Sequence, residues 1–206
     1  MGCNNSKQGK TDKPITNEPT LRMKKENKTD TKEKVYEVKI CLLGDVAVGK
    51  TSIASRFCKN SFSETYVNTI GGAYQQQTIL LDNGAKIKFH VWDTTGDERF
   101  KSMTNLYYRD AQVAILTYDV TKMDTFQGLE YWIKVLSEKV NKDNMLLFLA
   151  GNKSDMPNKV VATSMAKEYA EKNNMYFFET SAKTGAGVKE LFKTIANKEY
   201  EILIKK

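Results

Sequence analysis

The stretch Gly44-Asp45-Val46-Ala47-Val48-Gly49-Lys50-Thr51 constrains this chain more than any other. It matches G-x-x-x-x-G-K-[ST] at every fixed position. The apolar run 35–43 precedes it and the helix-like run 52–57 follows it. Strand, glycine-bounded loop and helix in that order bend the backbone so that its N–H groups converge on an anion, and the helix N-terminus adds a positive dipole. A lysine at the seventh position reaches outer phosphates, and the hydroxyl after it ligates Mg2+. The motif therefore predicts a phosphate-binding loop, with Lys50 on phosphate and Thr51 on Mg2+. A glycine turn carrying a solvated lysine would need neither flanking element.

The rest of the chain alternates strands with helices. The first helix is expected over 49–60. Residues 74–81 and 85–92 read as strands around the hairpin signal Asp82-Asn83-Gly84. In the second of these Ile87, Phe89 and Val91 share one face. His90, the sole histidine, falls on the other and reads as a strand residue without metal or catalytic partners. Residues 113–118 and 145–150 are unbroken apolar runs, as in parallel strands buried on both faces. Phe126, Leu129, Ile133, Leu136 and Val140 recur at helical spacing, 163–173 reads as helix and 176–178 as strand. Val188, Leu191, Phe192, Ile195 and Ile202 mark a last helix. This order predicts an α/β domain with a mostly parallel sheet and helices on both faces. Ligands then bind at the carboxyl ends of the strands.

Four motifs fall at such ends. Asp93 closes an apolar strand upstream of Gly96, where a carboxylate holds Mg2+ through water and a glycine N–H approaches a terminal phosphate. Asn152-Lys153-Ser154-Asp155 suits guanine. The Asp155 carboxylate can accept from both the ring N1–H and the exocyclic amine, a donor pair that adenine lacks. Lys153 can lie along the ring face, and Asn152 can tie this loop to the phosphate loop. Glu179-Thr180-Ser181-Ala182-Lys183 ends the last strand.

Net charge is +7, but it is uneven: residues 1–34 carry nine basic and five acidic side chains, leaving +4 on a short polar arm and +3 on the remainder. A basic arm of that kind suits an anionic membrane, and the chain is not expected to bind nucleic acid. Its composition reads as a disordered arm over 1–34 and one domain over 35–206. Met1-Gly2-Cys3-Asn4-Asn5-Ser6 fits M-G-x-x-x-[ST], so Gly2 is expected to carry myristate and Cys3 to be open to palmitate. One acyl chain holds a membrane only marginally; a second chain or basic residues make it stable. Three cysteines at no metal-like spacing fit a reducing compartment. No apolar run reaches membrane-spanning length and no secretory signal follows Met1.

With these motifs in place the chain resembles the Ras-like small GTPases and, within them, the Rab branch. G-D-x-x-V-G-K-T, T-I-G, W-D-T-x-G-x-E-R-F, Y-Y-R-x-A, N-K-x-D and E-T-S-A-K occur in order across residues 35–206. Thr69-Ile70-Gly71, Leu106-Tyr107-Tyr108-Arg109-Asp110-Ala111-Gln112 and Glu179-Thr180-Ser181-Ala182-Lys183-Thr184 look most like the early-endosomal Rabs. The resemblance implies a three-layer Ras-like fold with a six-stranded sheet and GTP hydrolysis to GDP and phosphate. It places GTP or GDP on Asp45, Val46, Ala47, Val48, Gly49, Lys50, Thr51 and Ser52, and on Phe62, Tyr66, Thr69, Gly96, Asn152, Lys153, Asp155, Ser181, Ala182 and Lys183. Phe62 would pack edge-on against guanine, Ser181, Ala182 and Lys183 would cover the base, and Thr69 would join Thr51 and water-linked Asp93 on Mg2+. Lys50, Thr69 and Gly96 would form the catalytic set, with Asp97 at the water-orienting position. Tyr74, Trp92 and Tyr107 match the aromatic triad that Rabs present to effectors; for Trp92 ordinary core packing is an equal alternative. The implied partners are an exchange factor, a GTPase-activating protein and effectors, around a monomer on the cytoplasmic face of an endosomal or plasma membrane.

The chain departs from that family at four places. Asp97 stands where Rabs carry Gln, and a carboxylate cannot donate a hydrogen bond and repels developing phosphoryl charge. Thr95 replaces a small Ala beside the terminal phosphate, and Val46 adds bulk where a partner's catalytic finger would enter. Each departure predicts slow hydrolysis. The last residues, Glu201-Ile202-Leu203-Ile204-Lys205-Lys206, contain no cysteine for prenylation, so the acylated N-terminus is expected to serve instead. A GTP-locked pseudo-GTPase acting as a binding module stays open as the alternative. A nucleotide-dependent kinase would need an acceptor site and a lid.

Overall fold

Strand β1, Val35–Leu43, shows why a run without alternation folds here. Val38, Ile40 and Leu42 are completely buried on one face of the sheet, and Cys41 and Leu43 on the other. The polar residues Glu37 and Lys39 fall in its first, partly exposed half, and the half that enters the core, Ile40 to Leu43, is apolar on both faces. The computed structural model describes residues 34–65, 67–97, 105–139 and 145–205. The arm over 1–33, Gly2 and Cys3 included, Tyr66 and residues 98–104 lie outside the described residues.

Strands β2 (Gly72–Leu80), β3 (Lys86–Thr94), β4 (Val113–Asp119), β5 (Leu146–Asn152) and β6 (Tyr176–Glu179) complete a six-stranded sheet in the order β2-β3-β1-β4-β5-β6. All neighbours are parallel except β2 and β3, which form an antiparallel hairpin with Gly72 opposite Thr94 and Leu80 opposite Lys86. Gly84 takes φ +84° in its turn, the conformation that the Asp-Asn-Gly signal predicts. Helices α1 (Lys50–Lys59) and α6 (Val188–Leu203) cover one face. Helices α3 (Met123–Gln127), α4 (Leu129–Lys139) and α5 (Thr163–Lys172), with the one-turn α2 (Asn105–Tyr108), lie on the other. This is the three-layer, mostly parallel architecture expected from the alternation.

Two details differ from the sequence expectation. The periodic stretch that reads as one helix is divided at Gly128, which stays right-handed at φ −59° and ψ −17°. A β-carbon there would meet the Asp45 carboxylate, so the phosphate loop packs closely against this junction. The short α2 has too few residues to show a period. Around α1 and α6, Phe57 stacks on Phe192 with ring centroids 3.6 Å apart, and Phe89 meets both edge-on. Phe192 is fully buried, so Phe192→Ala is expected to cost about 3–5 kcal/mol. A urea titration would show it as a lower midpoint at unchanged slope; a loss below about 1 kcal/mol would mean the ring cluster repacks.

Candidate functional site

A cavity of about 460 Å³ opens over the carboxyl ends of the sheet, within the range of small-molecule sites. Its floor is the loop between β1 and α1. Gly44 has φ +139° and a β-carbon on it would strike the Thr117 carbonyl; Gly49 has φ +96° and one would strike the Asn152 amide. These two glycines let the loop lie directly on β4 and β5. Lys50 is 5% exposed and folds back beneath the loop, donating from Nζ to the carbonyls of Gly44 at 2.8 Å and Asp45 at 2.7 Å. Burial outweighs the attraction of Asp93 and Asp45 and draws its pKa down to about 8. A buried ammonium at the N-terminus of a helix favours an anion.

Beside it, the Thr51 hydroxyl donates to Asp93 Oδ2 at 2.6 Å and lies 2.8 Å from the Thr69 hydroxyl. Asp93 is fully buried, burial raises its pKa, and its Oδ1 has no hydrogen-bond partner. An orphaned carboxylate oxygen next to two hydroxyls fits Mg2+, which keeps water and phosphate oxygens in its shell and needs few protein ligands. Among the described residues no His, Cys, Asp or Glu cluster forms a dedicated metal cage.

The opposite wall is organised by one buried amide. Asn152 Nδ2 donates to the Val48 carbonyl at 2.9 Å, and its Oδ1 accepts from Ala182 N–H at 3.2 Å and the Thr180 hydroxyl at 3.3 Å. Three motifs are thereby tied together. Ser181 Oγ donates to Asp155 Oδ1 at 2.6 Å. Lys153, at φ 66°, reaches Asp119 Oδ2 at 2.5 Å. Burial pushes the Asp119 carboxyl up, but hydrogen bonds from Lys153 and Thr121 outweigh it and hold the group below the usual carboxylate range. Arg56, on α1, donates to the Ala182 and Lys183 carbonyls at 2.8 Å each.

Asp119 and Arg56 are absent from the residues singled out by sequence. Asp119 had a signal: it is the last residue of a fully buried strand. Arg56 had none, because a helical arginine bonding carbonyls 126 residues away looks like any solvated one.

The remaining candidates divide between the cavity and its surroundings. Val46, Ala47, Ser52, Phe62, Thr95, Gly96, Lys153, Asp155, Ala182 and Lys183 line it together with Gly49, Lys50, Thr51 and Thr69. Asp45 turns its carboxylate to Gly128, and buried Val48 contributes its carbonyl. Gly96 lies against the backbone of Asp45 and Val46 with no room for a β-carbon. Asp97 is not part of the lining; its N–H donates to Thr95 Oγ1 at 3.2 Å. Tyr74, Trp92 and Tyr107 form a separate aromatic row, with centroids 5.2 Å and 5.7 Å apart. Trp92 is half-buried and Tyr74 is 46% exposed, so the row is neither core nor free surface.

Residues 39–201 match the model of the Ras family. The chain is also 41% identical over 202 residues to Ras-related protein Rab-5B of Plasmodium falciparum (isolate 3D7), a match that covers 97% of this chain and 94% of that one.

Proposed function

The chain belongs to the Ras family, in its Rab-type branch, and from that premise we propose a membrane-anchored switch that recruits effectors for vesicular, endosomal trafficking. Membership makes it a GTP-binding protein and a GTPase; the anchoring, the rate and the roles of individual residues are the proposed part. The observation that carries the reading is the link from Thr51 to both Asp93 and Thr69. It joins the phosphate loop to the ends of the two segments that flank a terminal phosphate. Loss of that phosphate removes what both segments would share, which is how a γ-phosphate orders or releases such loops.

In this reading Thr51 and Thr69 would hold Mg2+, with Asp93 acting through water. Bound there, the ion would neutralise phosphate charge. Lys50 swings from its carbonyls to the phosphates, and the Gly96 N–H meets the terminal one. Asp155 reads the guanine edge, the Lys153 stem lies on the ring while Asp119 fixes its ammonium, and Phe62 with Ser181, Ala182 and Lys183 closes around the base. Tyr74, Trp92 and Tyr107 face effectors. Asp97, Thr95 and Val46 make hydrolysis slow, and an activating protein supplies the missing group.

The same Asp97 favours one other reading, a GTP-locked binding module without useful turnover. Single-turnover hydrolysis by the purified protein, alone and with an activating protein, separates the two. Complete absence of phosphate release in both would establish the binding module.

Anchoring rests on Gly2, Cys3 and the basic arm. Gly2→Ala is expected to move the protein from membranes to the soluble fraction, a loss of most of the membrane-bound pool on fractionation. An unchanged membrane pool would remove myristate from the mechanism.

A further inference from the structure

Phe62 and Thr69 are each tied to the body of the domain. Phe62 packs against the core, and the Thr69 hydroxyl meets that of Thr51 at 2.8 Å. Between them Ser63, Glu64, Thr65, Val67 and Asn68 are exposed. Midway, Glu64 Oε1 lies 2.9 Å from Lys183 Nζ.

Lys183 belongs to the wall across the cavity, and that wall is fixed in place. Arg56 grips the Ala182 and Lys183 carbonyls, Ser181 bonds Asp155, and the Asn152 amide accepts from Ala182. Glu64 and Lys183 both line the cavity. The ion pair thus connects an exposed strap to a rigid wall and closes a ring around the space between them. Lys183 draws the Glu64 carboxyl below its ordinary range, and Glu64 raises the Lys183 ammonium, with Asp155 adding a lesser pull on it.

We infer that Glu64 and Lys183 form a clasp across the cavity that slows release of bound guanine nucleotide, an inference resting on the proposed reading of this cavity as the nucleotide site. Lys183 then has two uses: its backbone belongs to the base-covering loop, and its side chain holds the strap. Both partners are exposed, with side chains 77% and 55% accessible. The pair is therefore open to salt screening and is of modest strength. Modest strength suits a clasp that an exchange factor must open, because a carboxylate or ammonium presented by a partner could take either half. Arrival of nucleotide should depend less on the clasp, since an ion pair between exposed side chains opens far faster than nucleotide arrives.

The test is the release of a fluorescent GDP analogue from full-length protein with Mg2+. Glu64→Gln is expected to raise the dissociation rate roughly two- to fivefold at low salt, with the association rate unchanged. Native release should quicken as salt approaches about 1 M, where screening acts within about 3 Å, and the Glu64→Gln rate should stay flat. Lys183→Glu should release faster still, through repulsion by Glu64. Adding Glu64→Lys to Lys183→Glu should return the rate most of the way to native, the non-additivity that marks a direct pair. Guanine nucleotide binding with a Glu64→Gln rate equal to native, or a double variant whose effects simply add, would overturn the clasp and leave the site standing. A protein that binds no guanine nucleotide would overturn both.

Discussion

Asp155→Asn is expected to weaken GTP binding by roughly 10²–10⁴-fold and to shift preference to xanthosine triphosphate. The carboxylate offers two acceptors to the guanine N1–H and amine, and hydrogen bonds to a charged group are worth about 1.5–3 kcal/mol each. An amide in its place keeps one acceptor and turns a donor toward the amine, which clashes in hydrogen-bonding sense. Xanthine carries a carbonyl where guanine carries the amine, so the same amide pairs with it at both positions. The substitution leaves the wall intact. Ser181 Oγ donates to Asp155 Oδ1, and an amide oxygen still accepts that bond, though more weakly than a carboxylate. Asn152 and Arg56, which position the loop, do not depend on Asp155. Competition of GTP and xanthosine triphosphate against a fluorescent guanine nucleotide reads the outcome directly. Retained guanine preference would mean that the base is read elsewhere.

Asp97→Gln is expected to accelerate single-turnover GTP hydrolysis about tenfold or more, the equivalent of at least about 1.4 kcal/mol in barrier. Glutamine donates and accepts, so it can orient water and touch the transition state together; aspartate only accepts, and its charge opposes the charge gathering on the phosphoryl group. The structure adds a coupling that the position alone does not suggest. Thr95 Oγ1 accepts the Asp97 N–H at 3.2 Å, so two of the residues that depart from the Rab pattern bond to each other. Thr95→Ala should therefore combine non-additively with Asp97→Gln, because it frees the backbone that carries the new side chain. An Asp97→Gln rate no faster than native would mean that aspartate is not the brake. An ordinary native rate would remove the binding-module reading.

The sequence by itself determined the class of fold, the order of its strands and the placement of four motifs at strand ends. Each of these is local. A buried parallel strand is apolar at nearly every position, as in 113–118 where Thr117 is the exception, and a loop that cradles phosphate needs its glycines and lysine at fixed spacing. Both signals survive in a linear string, which is why Val113–Asp119 and Lys50–Lys59 fall within two residues of expectation.

Only the tertiary structure decided which side chains hold those loops in relation to one another. Arg56 meets Lys183 across 127 positions, Glu64 meets Lys183 across a cavity, and Lys153 finds Asp119 on a neighbouring strand end. The glycine at 128 belongs to the same class, since the space for its β-carbon is taken by the carboxylate of Asp45. These contacts leave no periodicity, because sheet order, not chain order, brings the partners together. β1 lies between β3 and β4, so the loops after β1 and β3 share one part of the cavity while those after β5 and β6 form its other wall. The motifs name what is bound, and the crossovers between strands decide which residues stand behind them.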